Sequence, residues 1–216
     1  QYTGGRGVEA IASAQRALAA PELTPEDERE AWAALAVGEQ MCSGAVAGLA
    51  RLEPRLPLVV TDPADADLLV IRGALQFFAA RPARAVADLT AAIQLARAAP
   101  ALAGDRLPRA HLQLANALIL TGDWTSAAVH ARLASELVDD EDLVWVRAQA
   151  ECIHARLAGC VRGDWAAAEA HLRAGGEAAG RLGSLEATFT LLIARALVAD
   201  AREDPREVLA VFGGLV

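Results

Sequence analysis

Few residues of this chain stand at spacings that support covalent chemistry. The four histidines, His111, His130, His154 and His171, never pair at i, i+4 with one another or with a cysteine, the spacing that brings two ligands to one helix face. Cys152 and Cys160 are eight residues apart, roughly 12 Å along a helix, too far to bridge. The acidic clusters Glu26-Asp27-Glu28 and Asp139–Asp142 could suggest acid–base work or calcium. Both fall at predicted helix starts, where carboxylates complement the positive end of the helix dipole. Gly5-Arg6-Gly7-Val8-Glu9-Ala10 formally matches GxGxxA, but a dinucleotide loop needs a preceding strand, and none is predicted. No nucleophile elbow or triad signature occurs. Every one of the 20 cations is arginine, which excludes a phosphate-loop lysine, a Schiff-base lysine and a Ser–Lys pair. The expectation is a protein that is not an enzyme and holds no metal or cofactor.

The elements that carry these residues are helical. Of the 216 residues 54% are hydrophobic and only 4% aromatic, so the apolar mass is alanine, leucine and valine. Alanine and leucine favour helix, and an all-α chain follows. The net charge of −8 argues against nucleic-acid binding, which needs a basic patch. No apolar run reaches the roughly 20 residues that cross a bilayer, and no signal peptide is visible. Three cysteines without paired spacing suit a reducing cytoplasm.

One short stretch organises the chain. Gly122-Asp123-Trp124-Thr125-Ser126-Ala127 recurs as Gly163-Asp164-Trp165-Ala166-Ala167-Ala168. Weaker versions start at Gly38, at Ala80-Arg81-Pro82 and at Glu203-Asp204-Pro205, so the starts fall at positions 38, 80, 122, 163 and 203. A period of this length signals stacked repeats. Glycine takes the left-handed conformation that ends a helix, aspartate caps the next one, and proline suits its first turn. Small residues recur seven before the corners (Ala31, Gly73, Ala115, Ala196), five after them (Ser43, Ala85, Ala127, Ala168) and twelve after them (Ala50, Ala92, Ala134, Gly175), with Arg156 breaking the first series and Val208 the second. They let paired helices approach closely. Helices are predicted from Gly5 to Ala19, Thr24 to Gly38, Met41 to Leu52, Pro63 to Phe78, Pro82 to Ala98, Arg109 to Leu120 and Trp124 to Val138. A long helix then ends at Arg162, followed by Trp165–Leu182, Leu185–Ala199 and Pro205–Phe212. Glu53 to Asp62, with Pro54 and Pro57, is expected to connect helices; Leu58–Thr61 could be a lone strand, but nothing nearby would pair with it. One domain over 1–216 results, with units at about 1–20 (half), 24–53, 63–99, 107–138, 140–182 and 185–216 (partial), expected to be a piece of a longer array.

Small residue, Gly-Asp-aromatic, then alanine is similar to the tetratricopeptide pattern, and the fold implied is an α-α superhelix of helical hairpins. The spacing of about 40–42 residues exceeds that family's 34. Gly122-Asp123-Trp124 and Gly163-Asp164-Trp165 in an Ala/Arg-rich chain resemble the sensor arrays of large ATP-binding LuxR-type regulators, including the maltose-regulon activator class. The resemblance implies a cytoplasmic transcription regulator segment that binds a small-molecule effector, a protein or peptide, or other domains of its own full-length chain. A generic interaction scaffold without an effector is the alternative. In such a stack the first helix of each pair lines the concave face. By phase that face receives Glu28, Trp32 and Leu35, then Val70, Ala74 and Phe77, then Arg109, Leu112, Asn116 and Ile119, then Ile153, Leu157 and Cys160. Trp32, Phe77, Arg109, Leu112, Asn116 and Ile119 are the expected groove, with Arg109 meeting a carboxylate or carbonyl and the aromatics an apolar body. The alternative is that longer helices close the groove and bury the stripe as core. Trp124 and Trp165 are expected in the core between paired helices.

Overall fold

Chains rich in alanine and leucine satisfy their backbone locally, and this one forms helices and no strand among the described residues. A computed structural model describes residues 2–102, 106–137, 144–183 and 185–213. Its α-helices are α1 (Tyr2–Leu18), α2 (Pro25–Ser43), α3 (Ala45–Leu52), α4 (Ala66–Phe78), α5 (Pro82–Ala98) and α6 (Arg106–Thr121). They continue as α7 (Trp124–Glu136), α8 (Val144–Arg156), α9 (Trp165–Leu182), α10 (Leu185–Ala201) and α11 (Pro205–Gly213). Among the described residues no helix is long and apolar enough to cross a membrane. The helices fall into two compact units, Gln1–Ala117 and Leu118–Val216. In the first, α1 packs on α2, α2 on α3 and α4, and α4 on α5. In the second, α8 packs on α7 and α9, while α10 lies against α8, α9 and α11.

The corners share one backbone geometry. Left-handed φ values occur at Ala80 (57°), Gly122 (81°), Gly163 (65°) and Glu203 (60°), the last four of the five starts in the repeat. The amide after each reaches back to a carbonyl of the preceding helix: Arg81 to Gln76, Asp123 to Leu118, and Asp204 to Ala199. This is the Schellman closure, which satisfies the last carbonyls of a helix. At the third corner Asp164 N–H reaches Ala158 instead, one residue further back, because a π-turn spans Leu157–Val161. The side chains of Asp123, Asp164 and Asp204 then accept from the amides of Ser126, Ala167 and Glu207 at 3.0, 3.0 and 3.1 Å. Ala80 and Glu203 hold a conformation that costs a residue with a Cβ about 1–2 kcal/mol. Ala80→Gly should therefore raise stability by about 1 kcal/mol in denaturant titration; a loss of stability would contradict the strain assigned to this corner.

One boundary differs from expectation. The spacing predicts a corner at Gly38, yet α2 runs on to Ser43 and turns at Gly44, where φ is 91°. Gly38 serves a close approach instead: a Cβ there would lie 2.9 Å from Ile11 Cγ1 and 3.0 Å from the Gly7 carbonyl of α1. Ser43 and Ala50 are consequently exposed rather than packed. The long helix expected to reach Arg162 does so, passing from α-helix into a π-turn over Leu157–Val161. Gly104, Asp105, Val138 and the acidic turn Asp139–Asp142 lie outside the described residues. Leu58–Thr61 is a loop, held by Arg72, whose Nη1 and Nη2 donate to the carbonyls of Pro57 and Leu58 at 2.8 and 3.3 Å.

Candidate functional site

The site is built in the first unit from the openings of α2, α4 and α6. Thr24 caps α2, its hydroxyl accepting from the Asp27 amide at 3.1 Å, and Pro25 occupies the first helical position. A short 3-10 turn, Pro63–Asp65, leads into α4 and is capped by Asp62, which accepts from the Ala64 amide at 2.9 Å. Pro108 sits in the first turn of α6, where it displaces no helical hydrogen bond. These three openings surround a cavity of about 510 Å³, within the size range of small-molecule sites. Glu26, Arg29, Glu30, Ala33, Ala34 and Val37 of α2 line it. Ala64, Asp67 and Ile71 form a second wall, and Arg106 and Arg109 the third.

Charged and aliphatic residues share this lining. Arg106 Nε lies 2.6 Å from Asp67 Oδ2, tying α6 to α4. Arg29 Nε donates to Asp65 Oδ1 at 2.9 Å, and Arg55 Nη2 approaches the same oxygen at 3.4 Å. Asp65 is buried at 7% exposure, and two guanidinium partners offset its loss of water. Glu26 and Glu30 are exposed and make no ion pair among the described residues. Among the described residues the lining groups are guanidinium, carboxylate and aliphatic, which recognise charge and shape.

Of the six residues expected in the groove, Arg109 lines this cavity. Leu112 is fully buried, and Leu35, Val70, Ile153 and Leu157 of the same expected stripe are core. Trp32 is half-buried and donates from Nε1 to Glu28 Oε1 at 3.3 Å. Phe77 packs edge-on against Phe78, ring centroids 5.2 Å apart. Asn116 is half-buried, as is Ile119, which belongs to the second unit. The open face of α2 is rotated by about one residue, carrying Arg29, Ala33 and Val37 in place of Glu28, Trp32 and Leu35. Ala31 and Ala115, buried at 5% and 0% exposure, leave room for the expected stripe to close into core.

The corner tryptophans also divide. Trp165 is half-buried against the core cluster of α8, α9 and α10, with the Arg202 guanidinium 5.6 Å over its ring. Trp124 is 47% exposed and is not core. An equal step along the chain leads from Trp165 to Arg202 and from Trp124 to Val161 in the π-turn, itself exposed.

Sequence spacing misses one constellation in the second unit. His154 of α8 and His171 of α9 stack with ring centroids 5.3 Å apart, and His171 Nδ1 lies 2.7 Å from Glu151 Oε2. Only tertiary packing brings residues of separate helices together, so no periodic signal marks them. Burial, and then the neighbouring His171, pushes the His154 imidazole below its ordinary range; Glu151 works the other way. Folding therefore favours neutral His154. As pH falls through the unfolded value of about 6.5 the unfolded chain takes up a proton that the folded chain resists, so stability drops. The unfolding midpoint should fall between about pH 7 and 5, and His154→Gln should flatten that slope; an unchanged slope would refute the assignment. In the same cluster, burial pushes the Cys152 thiol up to about 12, which leaves it an apolar filler rather than a nucleophile.

Comparison with known protein families, with curated proteins and with solved structures gives no match for this chain.

Proposed function

We propose that this chain is a binding array, an α-α superhelix of tetratricopeptide-like hairpins, acting as the sensor segment of a cytoplasmic transcriptional regulator. Its ligand is a peptide or a small effector that carries both a cationic and an anionic group. One observation carries this reading. Three successive first helices bring Arg106 and Arg109 to one side of a cavity and Glu26 and Glu30 to another. Paired guanidinium groups suit a carboxylate and the glutamates an ammonium. A net charge of −8 disfavours nucleic acid as the direct partner of this segment. Occupancy would stiffen the packing of α2, α4 and α6 and so bias whatever the array adjoins.

The competing reading is an interaction scaffold with no effector. The apolar surface of α10 and α11, where Phe189, Leu209 and Phe212 are more than half exposed, favours a protein partner. A thermal-shift screen of peptides, zwitterions, sugars and acyl compounds separates the two. A ligand at about 100 times its Kd adds about 2.7 kcal/mol to stability. Arg109→Ala should abolish the shift given by a hit, while Asn116→Ala, which does not line the cavity, should leave it intact. A hit that ignores Arg109→Ala would overturn the site.

A further inference from the structure

The second unit contains one groove twice, filled in the first instance and open in the other. The filled copy lies between α8 and α9, where Cys152, Ala155, Ala158, Ala168 and Leu172 close around Ala194 and Val198 of α10. The corner hydrogen bonds set its correspondence with the second copy. Asp164 N–H reaches Ala158 across the π-turn and Asp204 N–H reaches Ala199, so Ala158 and Ala199 share a phase. Each position of α8 before the π-turn therefore maps into α10 by that same step. Beyond the corners at Gly163 and Glu203 the step is the one between those two residues, shorter by one.

Cys152, Ala155, Ala168 and Leu172 thus map onto Ile193, Ala196, Val208 and Phe212. Those four, with Leu197 and Asp200, line an apolar cavity of about 270 Å³ between α10 and α11. Cys152 and Leu172 are 3% and 6% exposed, whereas Ile193 and Phe212 are 41% and 52% exposed. Phe189, in phase with the buried Ala148, extends the same apolar floor and is also exposed. The internal copy states what covers such a groove: a helix crossing it with a small side chain and a branched one four residues apart.

We propose that the α10–α11 groove docks one amphipathic α-helix, the opening helix of a further hairpin of this type, seated as α10 is on α8 and α9. Its contact stripe carries alanine and valine or leucine one turn apart, matching Ala194 and Val198. Asp200 at the rim accepts a cationic residue flanking that stripe. The site is separate from the charged cavity of the first unit and stands or falls without it.

The probe is a labelled, N-acetylated peptide with the sequence of residues 185–202, followed by fluorescence anisotropy against the intact chain. Saturable binding is expected. Ile193→Glu in the chain should weaken it at least about tenfold, since a carboxylate would be buried in an apolar groove. The substituted position is surface-exposed, so circular dichroism and the unfolding midpoint should match the parent. A peptide with lysine at the positions of Ala194 and Val198 should not bind. Absence of saturable binding would overturn the proposal, as would equal binding by Ile193→Glu. So would self-association of the chain that Ile193→Glu dissolves in sedimentation, which would give the face to a second copy.

Discussion

Arg72→Ala is expected to cost about 3–5 kcal/mol of the first unit's stability, the range for stripping one partner from a buried ion pair. Arg72 Nε and Nη2 grip Asp88 at 2.9 and 2.7 Å, with side-chain exposures of 9% and 14%. The same guanidinium holds the Pro57 and Leu58 carbonyls, so one side chain joins α4, α5 and the loop between α3 and α4. Removing it strips the Asp88 carboxylate of its bidentate partner. Lysine should not rescue, because a point charge cannot serve a bidentate carboxylate and two carbonyls together. Arg72→Met with Asp88→Leu should cost much less than Arg72→Ala, since an apolar pair leaves nothing unsatisfied there. Denaturant titration of the three variants measures this, and a cost below about 1 kcal/mol for Arg72→Ala would refute the account of the pair.

Leu89→Ala should cost about 2–5 kcal/mol, and the more telling result is its coupling to Gly73. Leu89 is fully buried, and a Cβ at position 73 would lie 2.5 Å from its Cγ. That contact involves the branch point of the side chain rather than a movable tip. Gly73→Ala alone should therefore cost about 1–3 kcal/mol through overpacking of α4 on α5. In the double variant the new methyl occupies space that Leu89 vacated, so the combined cost should fall short of the sum by at least about 0.5 kcal/mol. Strict additivity would show that Gly73 is glycine for a reason other than this approach.

Local constraints are the legible part of this fold. Gly122-Asp123 and Gly163-Asp164 carry their meaning within a few residues, a left-handed φ followed by a cap, and so does the Pro82 or Pro205 that follows a corner. Gly38 is ambiguous because glycine serves corners and close helix crossings alike; its neighbours Ile11 and Gly7 are remote in sequence. The charged cavity is harder to read. Arg29 and Glu30 are visible as helix residues, but which side of α2 stays open depends on how far Ala31 and Ala115 let the helices sink together. That is a packing outcome, and it turns Leu112 into core while leaving Arg109 on the surface of the cavity. The His154–His171 pair and the unlike surroundings of Trp124 and Trp165 have the same origin.

Hydrogen–deuterium exchange with a stabilising peptide or zwitterion bound tests the central claim most directly. The account predicts slowed exchange in residues 26–37, 64–71 and 106–110, lost in Arg109→Ala and kept in Asn116→Ala. Protection confined to other helices, with those three segments unchanged, would contradict it.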